Sequence, residues 1–195
     1  MRAHAVELDK SMETVEKLLC YFSSWDKLRK SVAYILHFKT WLLNKVRSKL
    51  GQTKGQCSPM KRRVTVDEML IAKQEVLRFV RIKAFPKEVK QLTEASLSDN
   101  AMTKSVNKSS SICSLDPFMG DGLLRVGGHL RHASIEAEAR NPIILAKKAY
   151  VVDLLVRHNH AKTRHSGREH VLSLIREKYW IIKGRMAFRS VEQLL

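Results

Sequence analysis

The chain has 195 residues, with 36 Lys and Arg against 19 Asp and Glu, for a formal net charge of +17. That length is enough to bury a real core, and a hydrophobic content of 44% excludes wholesale disorder. The charge points to a polyanionic partner, most simply nucleic acid, and no apolar run approaches the roughly 20 residues of a membrane span.

The N-terminal residues are charged every few positions, so no secretory signal is expected there. Val6, Leu8, Met12, Val15, Leu18 and Leu19 lie on one stripe of a predicted helix. Ser23 and Asp26 have the spacing of a capping box, which predicts a new helix start. The apolar steps from Leu28 to Val46 carry that helix to about Ser48, with Gly51 as its stop. Residues 51–63 are Gly, Pro and charge, and read as a linker. Thr65 and Glu68 form a second capping box, with Val64 and Met69 placed as its hydrophobic staple. The helix that follows ends at Pro86, with a short turn continuing to Leu92.

Residues 93–111 are polar, Ser-rich and aperiodic, and are the expected domain boundary. Beyond them, Asp121-Gly122 predicts a β-hairpin, Gly127-Gly128 a sharp bend, and residues 142–145 a short strand. Helices are predicted at Tyr150–His158 and Arg168–Lys178, and a last one starts at Gly184.

Between Asp26 and Asp67 there are eleven Lys or Arg and no acid. A charge run is often just a solvated face, but the absence of any compensating acid favours polyanion contact. Lys61, Arg62 and Arg63 in the linker belong to this run. Trp25, Tyr34 and Trp41 have the chemistry to stack on bases, although aromatic residues at helical spacing more often serve a core. A second basic group, Lys147, Lys148, Arg157, Lys162, Arg164 and Arg168, supplies phosphate contacts that position a polyanion without reading its sequence.

Cys20, Cys57 and Cys113 are odd in number and widely spaced. They are expected to be free thiols in a reducing compartment, which makes the protein intracellular and leaves nucleus and cytoplasm open. Of the eight histidines, His158, His160, His165 and His170 cluster. A histidine at a helix end and one in the next loop can converge on a metal, but a structural zinc needs four N or S ligands and His160 and His165 supply two. On spacing alone they read as surface histidines.

Four motifs occur together: Asp116-Pro117-Phe118, the Gly122 to Gly128 run, the His160 and His165 pair, and Arg176 to Ile181. In this combination, residues 115–185 closely resemble the integrase-proximal part of BEL/Pao-type retrotransposon polyproteins. The segments Phe22 to Trp25 and Val64 to Glu68, each with its helix, resemble the preceding region of the same polyproteins. The resemblance implies a zinc-binding integrase domain of the His-His-Cys-Cys type, in which His160 and His165 match the two histidine ligands. Zinc is the family's cofactor, and the domain assists assembly on element DNA.

The sequence departs from the family in several places. The expected Cys-x2-Cys pair does not appear before Leu195, so the resemblance leaves this chain half of the zinc site. Ala146 stands where the family usually has Pro, and Arg164 where it commonly has Gly. The family's Asp-Asp-Glu catalytic core is also missing. The acids after residue 140 are Asp153, Glu169, Glu177 and Glu192, and neither they nor the adjacent Ser166 and His165 form a catalytic set. The chain is therefore expected not to be an enzyme.

The expected fold is mainly α with a small β-hairpin region. Its expected division is a helical region (1–92), a flexible linker (93–114), a short hairpin region (115–146) and an incomplete zinc-binding helical domain (147–195). The expected function is non-catalytic nucleic-acid binding, with DNA favoured over RNA and with neither a membrane nor a small-molecule substrate. The alternatives are a helical protein–protein module that self-associates, through the apolar stripes at 24–48 and 65–84, and a non-functional element remnant.

Overall fold

The structure, a computed structural model, describes residues 13–50, 63–97, 106–128, 136–163 and 167–193. Val6, Leu8, Met12, Cys57 and most of the 51–63 linker lie outside the described residues.

Residues 13–21 are helical (α1), and α2 runs from Trp25 to Lys49. The predicted Ser23–Asp26 capping box is not what starts α2. Ser24 is the N-cap and makes no side-chain cap bond, while Asp26 pairs with Arg29 one turn on. The helix start rests on packing instead, since Trp25 and Leu28 are both buried. Helix α3 (Val66–Ala84) begins as predicted. Thr65 Oγ1 accepts from the Glu68 N–H at 3.3 Å, and Glu68 Oε2 accepts from the Thr65 N–H at 2.8 Å. Pro86 opens α4 (Pro86–Leu97), because a first-turn residue needs no amide donor and proline is pre-set in φ. That helix carries on past Leu92 into the stretch expected to be a linker.

The described residues after 105 are structured as well. Val106 and Ile112 are buried, and a 3-10 turn spans Cys113–Leu115. Val106 and Ile112 are the apolar residues that the surrounding serines make hard to read as core.

Strands β1 (Phe118–Gly120) and β2 (Leu123–Arg125) form the predicted antiparallel hairpin. Asp121 and Gly122 at its turn both have positive φ, as a two-residue type I′ turn requires. A four-residue α5 (Ala137–Arg140) precedes β3 (Ile143–Leu145), which pairs antiparallel with β2. Helices α6 (Tyr150–Lys162) and α7 (Arg168–Arg176) then cross over to β4 (Tyr179–Ile181), which lies parallel to β3 in the order β1-β2-β3-β4. Helix α8 (Gly184–Glu192) follows. Strand β4 was not foreseen, because three residues are too few to show a period of two. The fold is thus mainly helical with one small sheet, and among the described residues no helix is long and apolar enough to cross a membrane.

The sheet separates two apolar cores. Leu123, Ile143 and Leu145 point into the larger one, while Leu124 and Ile144 alternate into the smaller one beside Phe85, Leu92, Val106 and Ile112. The larger core joins Leu19, Trp25 and Leu28 from the first helices to Val76 and Leu77 of α3 and to Leu154, Val171, Ile175 and Phe188 of α6–α8. Among the described residues, the larger core thus draws on side chains from Leu19 to Val191. Two arginines of α3 fasten the hairpin: Arg78 Nη2 donates to the Asp121 carbonyl at 2.8 Å, and the buried Arg81 donates to the Gly122 carbonyl.

Candidate nucleic-acid interface

Helix α2 carries most of the charge run. Lys27, Lys30, Lys39, Lys45, Arg47 and Lys49 are exposed along it; Lys30 acts on Asp26 through its charge, but among the described residues no carboxylate lies within 4.0 Å of any of the six as an ion pair. Arg63 is exposed just before the Thr65 cap, whereas Lys61 and Arg62 lie outside the described residues. The α2 aromatics divide by position. Trp25 is buried against the core, Tyr34 is exposed, and Trp41 stacks on Phe38 with ring centroids 5.9 Å apart while the Lys45 ammonium lies over the Trp41 ring at 4.8 Å. Among these three, Tyr34 is therefore the best exposed for stacking on a base.

Two carboxylates near α2 are committed to structure. His158 of α6 approaches Asp26 at 3.3 Å, which ties α6 to α2. Burial pulls the Asp26 carboxyl upward, but the Arg29 hydrogen bond and the charges of His158, Arg29 and Lys30 outweigh it and hold it below its usual value. Glu68 is held low chiefly by its 2.6 Å contact with His37 and by the Thr65 amide.

The second basic group does not form one patch. Lys147 and Lys148 sit in the turn between β3 and α6, where they line a cavity of about 550 Å³. Arg157, Lys162 and Arg168 are not among the residues of that cavity. Arg157 is half-buried one turn after Asp153, whose carboxyl is pushed up by burial against the opposing pull of Arg157. Lys162 is exposed at the end of α6, and Arg168 contacts Glu169 at 3.4 Å, which also holds Arg185. Arg164 lies outside the described residues.

The cavity recruits two lysines that the sequence reading passed over, Lys83 and Lys183. The signal for Lys183 is the strand register. Leu145 pairs with Ile181 in the parallel β3–β4 ladder, so Lys147 and Lys183 lie two residues beyond the same rung. Only the unforeseen β4 makes that visible. Lys83 arrives from the last turn of α3 and pairs with Glu16 of α1.

His160 is half-buried at the end of α6, with its ring edge-on to Phe188 of α8 at 5.8 Å. His165 and Ser166 lie outside the described residues, as does any arrangement involving them. Among the described residues no three His, Cys, Asp or Glu side chains gather as a metal site, so His160 by itself does not meet the four-ligand requirement of a structural zinc. Comparison with protein-family models, with curated proteins and with solved structures returned no match.

Proposed function

We propose that this chain is a non-catalytic nucleic-acid-binding protein derived from the integrase-proximal region of a retrotransposon polyprotein. The observation that carries the binding half of this reading is α2, whose six exposed cations form no close ion pair with a carboxylate among the described residues. Cations along a 25-residue helix neutralise phosphates of a nucleic-acid backbone and gain free energy by releasing its counterions. The resemblance of residues 115–185 to BEL/Pao polyproteins supports the origin, and makes DNA the first nucleic acid to test. No step of this reading passes through zinc.

The test is fluorescence anisotropy with a labelled DNA duplex at several salt concentrations. Binding that weakens steeply with salt, and a shallower slope when Lys39, Lys45 and Lys49 are changed together to Ala, is the expected result. Absence of binding at low salt would remove the reading.

A second reading has its own observation. Ile35, Phe38, Leu42, Leu43 and Val46 are each between 44% and 49% exposed on α2, an apolar surface beside the basic one. Such a face suits a protein partner, a second copy included. Sedimentation at two protein concentrations separates the readings, since self-association through an apolar face raises the mass with concentration and responds little to salt.

A further inference from the structure

The cavity beside Lys147 and Lys148 has features that the charge of α2 does not explain. It opens just past the carboxyl ends of the two parallel strands β3 and β4, between α1, the end of α3 and the start of α6. Leu19, Val80, Phe85 and Val151 line it and are buried, so its interior is apolar. Lys148 and Lys183 are exposed, and Lys83 is about half-exposed, so the charge gathers at the solvent side. Glu16 also lines the cavity and is held by Lys83, which leaves an excess of positive charge.

Helix α6 begins at this wall. Its N-cap Ala149 makes no side-chain cap bond, and because the Ala149 N–H donates to the Ala146 carbonyl at 3.3 Å and the Val152 N–H to the Ala149 carbonyl at 2.8 Å, the first turn offers the amides of Tyr150 and Val151. Ala149, Tyr150 and Val151 all line the cavity, so the positive end of the helix faces the same space as the lysines. A crevice beyond the carboxyl ends of parallel strands, with a helix starting there, is a common place for an anionic ligand, because the helix dipole adds to the charge of the lysines. A volume of about 550 Å³ is in the range of small-molecule sites, roughly 300–1,000 Å³.

We propose that this cavity binds a nucleotide. The phosphate sits among Lys147, Lys148, Lys183 and the first turn of α6, and the base enters the apolar chamber against Phe79 and Phe85. A free phosphate would use the lysines and leave the chamber unused, whereas a long apolar chain would leave the convergent charge and the helix end without a partner. A nucleotide uses both, through its anionic phosphate and the π-face of its base, which stacks on aromatic side chains while its polar edges stay toward the open side. The inference rests on the nucleic-acid reading and adds a place for one unpaired base of the bound strand. It gives the chain a preference for single-stranded or frayed ends over continuous duplex, because a stacked and paired base cannot enter the chamber.

The experiment uses the full chain and three probes: adenosine monophosphate and inorganic phosphate by calorimetry, and a labelled oligonucleotide by anisotropy, as single strand and as blunt duplex. Two variants report on the site. Lys147→Ala with Lys183→Ala removes charge, and Ser111→Trp, at an exposed lining position, fills the chamber from its rim. Circular dichroism confirms that each is folded. The expected results are that adenosine monophosphate binds more tightly than phosphate, that the double variant weakens it about tenfold or more, and that Ser111→Trp abolishes the single-strand preference while duplex binding and its salt slope persist. If nucleic acid binds but neither variant changes mononucleotide affinity or strand preference, the cavity assignment is overturned and the polyanion reading stands. If no nucleic acid binds at all, yet adenosine monophosphate does and the double variant weakens it, the polyanion reading fails and the site stands as a mononucleotide site. Absence of both kinds of binding overturns both.

Discussion

The Tyr150 hydroxyl donates to the Phe22 carbonyl at 2.8 Å, joining residues 128 positions apart in the chain. Tyr150 opens α6, and Phe22 lies in the break between α1 and α2. The bond therefore fastens the N-terminal helices to the C-terminal helical unit over the core that both share. Tyr150→Phe keeps the ring and removes only the donor. The expected cost is about 1 kcal/mol, read as a lower urea midpoint with an unchanged slope. Because one core spans both halves, circular dichroism and the Trp25 environment should unfold together, and two separated transitions would refute that shared core.

Metal removal gives a second prediction. Val151, Leu154 and Leu155 of α6, Val171 and Ile175 of α7, and Phe188 and Val191 of α8 are packed in the larger core. Packing of this extent is expected to hold the three helices by itself, so a chelator should leave the far-ultraviolet circular dichroism unchanged. Phe188→Ala should instead cost about 3–5 kcal/mol, because Phe188 is 1% exposed and also carries the His160 contact. Loss of helix on chelation, together with bound zinc near one per chain, would show that the metal and not the apolar core secures this unit.

The parts of this architecture that were readable in the sequence are those with a local cause. The Thr65–Glu68 box and the Asp121-Gly122 turn are set by residues within four positions of one another, and both are present. The start of α2 lies where the sequence places it, but the capping box does not form, because what fixes that start is distant. Trp25 and Leu28 are fixed by the core, and Asp26 turns to Arg29 and His158 instead of back to a cap. The same holds for the site. The exposed cations of α2 follow from composition and helical period, but Lys147 and Lys183 come to line one cavity through the parallel β3–β4 register. No spacing rule links those two positions.

Gly127 sets up a third prediction. A Cβ there would lie 2.2 Å from the backbone oxygen of Asp116, which itself holds φ at 44°. The Gly127 N–H donates to the Leu115 carbonyl at 3.1 Å, so the two strands of chain cannot part without losing that bond. Gly127→Ala should destabilise by at least about 1–3 kcal/mol, the usual cost of overpacking. At Gly128 a Cβ meets nothing within 4 Å, but φ is +97°, so alanine there costs roughly 1–2 kcal/mol from backbone strain alone. Thermal melts of the two variants should rank Gly127→Ala below Gly128→Ala, and the reverse order would contradict this close approach.

Glu68 does two jobs, closing the Thr65 capping box and facing His37 of α2 across 2.6 Å. The His37 hydrogen bond, the Thr65 amide and the Thr65 hydroxyl favour its charged form, and burial opposes them only weakly, so its carboxyl titrates below its usual value in the folded protein. A group held low in this way adds stability above its unfolded pKa, about 4.3 for a glutamate, and loses it as pH falls through the lower folded value. Asp26, also held low, acts in the same direction. Glu68→Gln keeps a side chain able to close the capping box but carries no charge to titrate. The variant should therefore be less stable than the parent at neutral pH, and the difference should shrink as the pH is lowered from about 5 to 3. Urea midpoints measured across that interval check the prediction, and a gap that stays constant or widens toward acid would show that the charge on Glu68 does not couple α2 to α3.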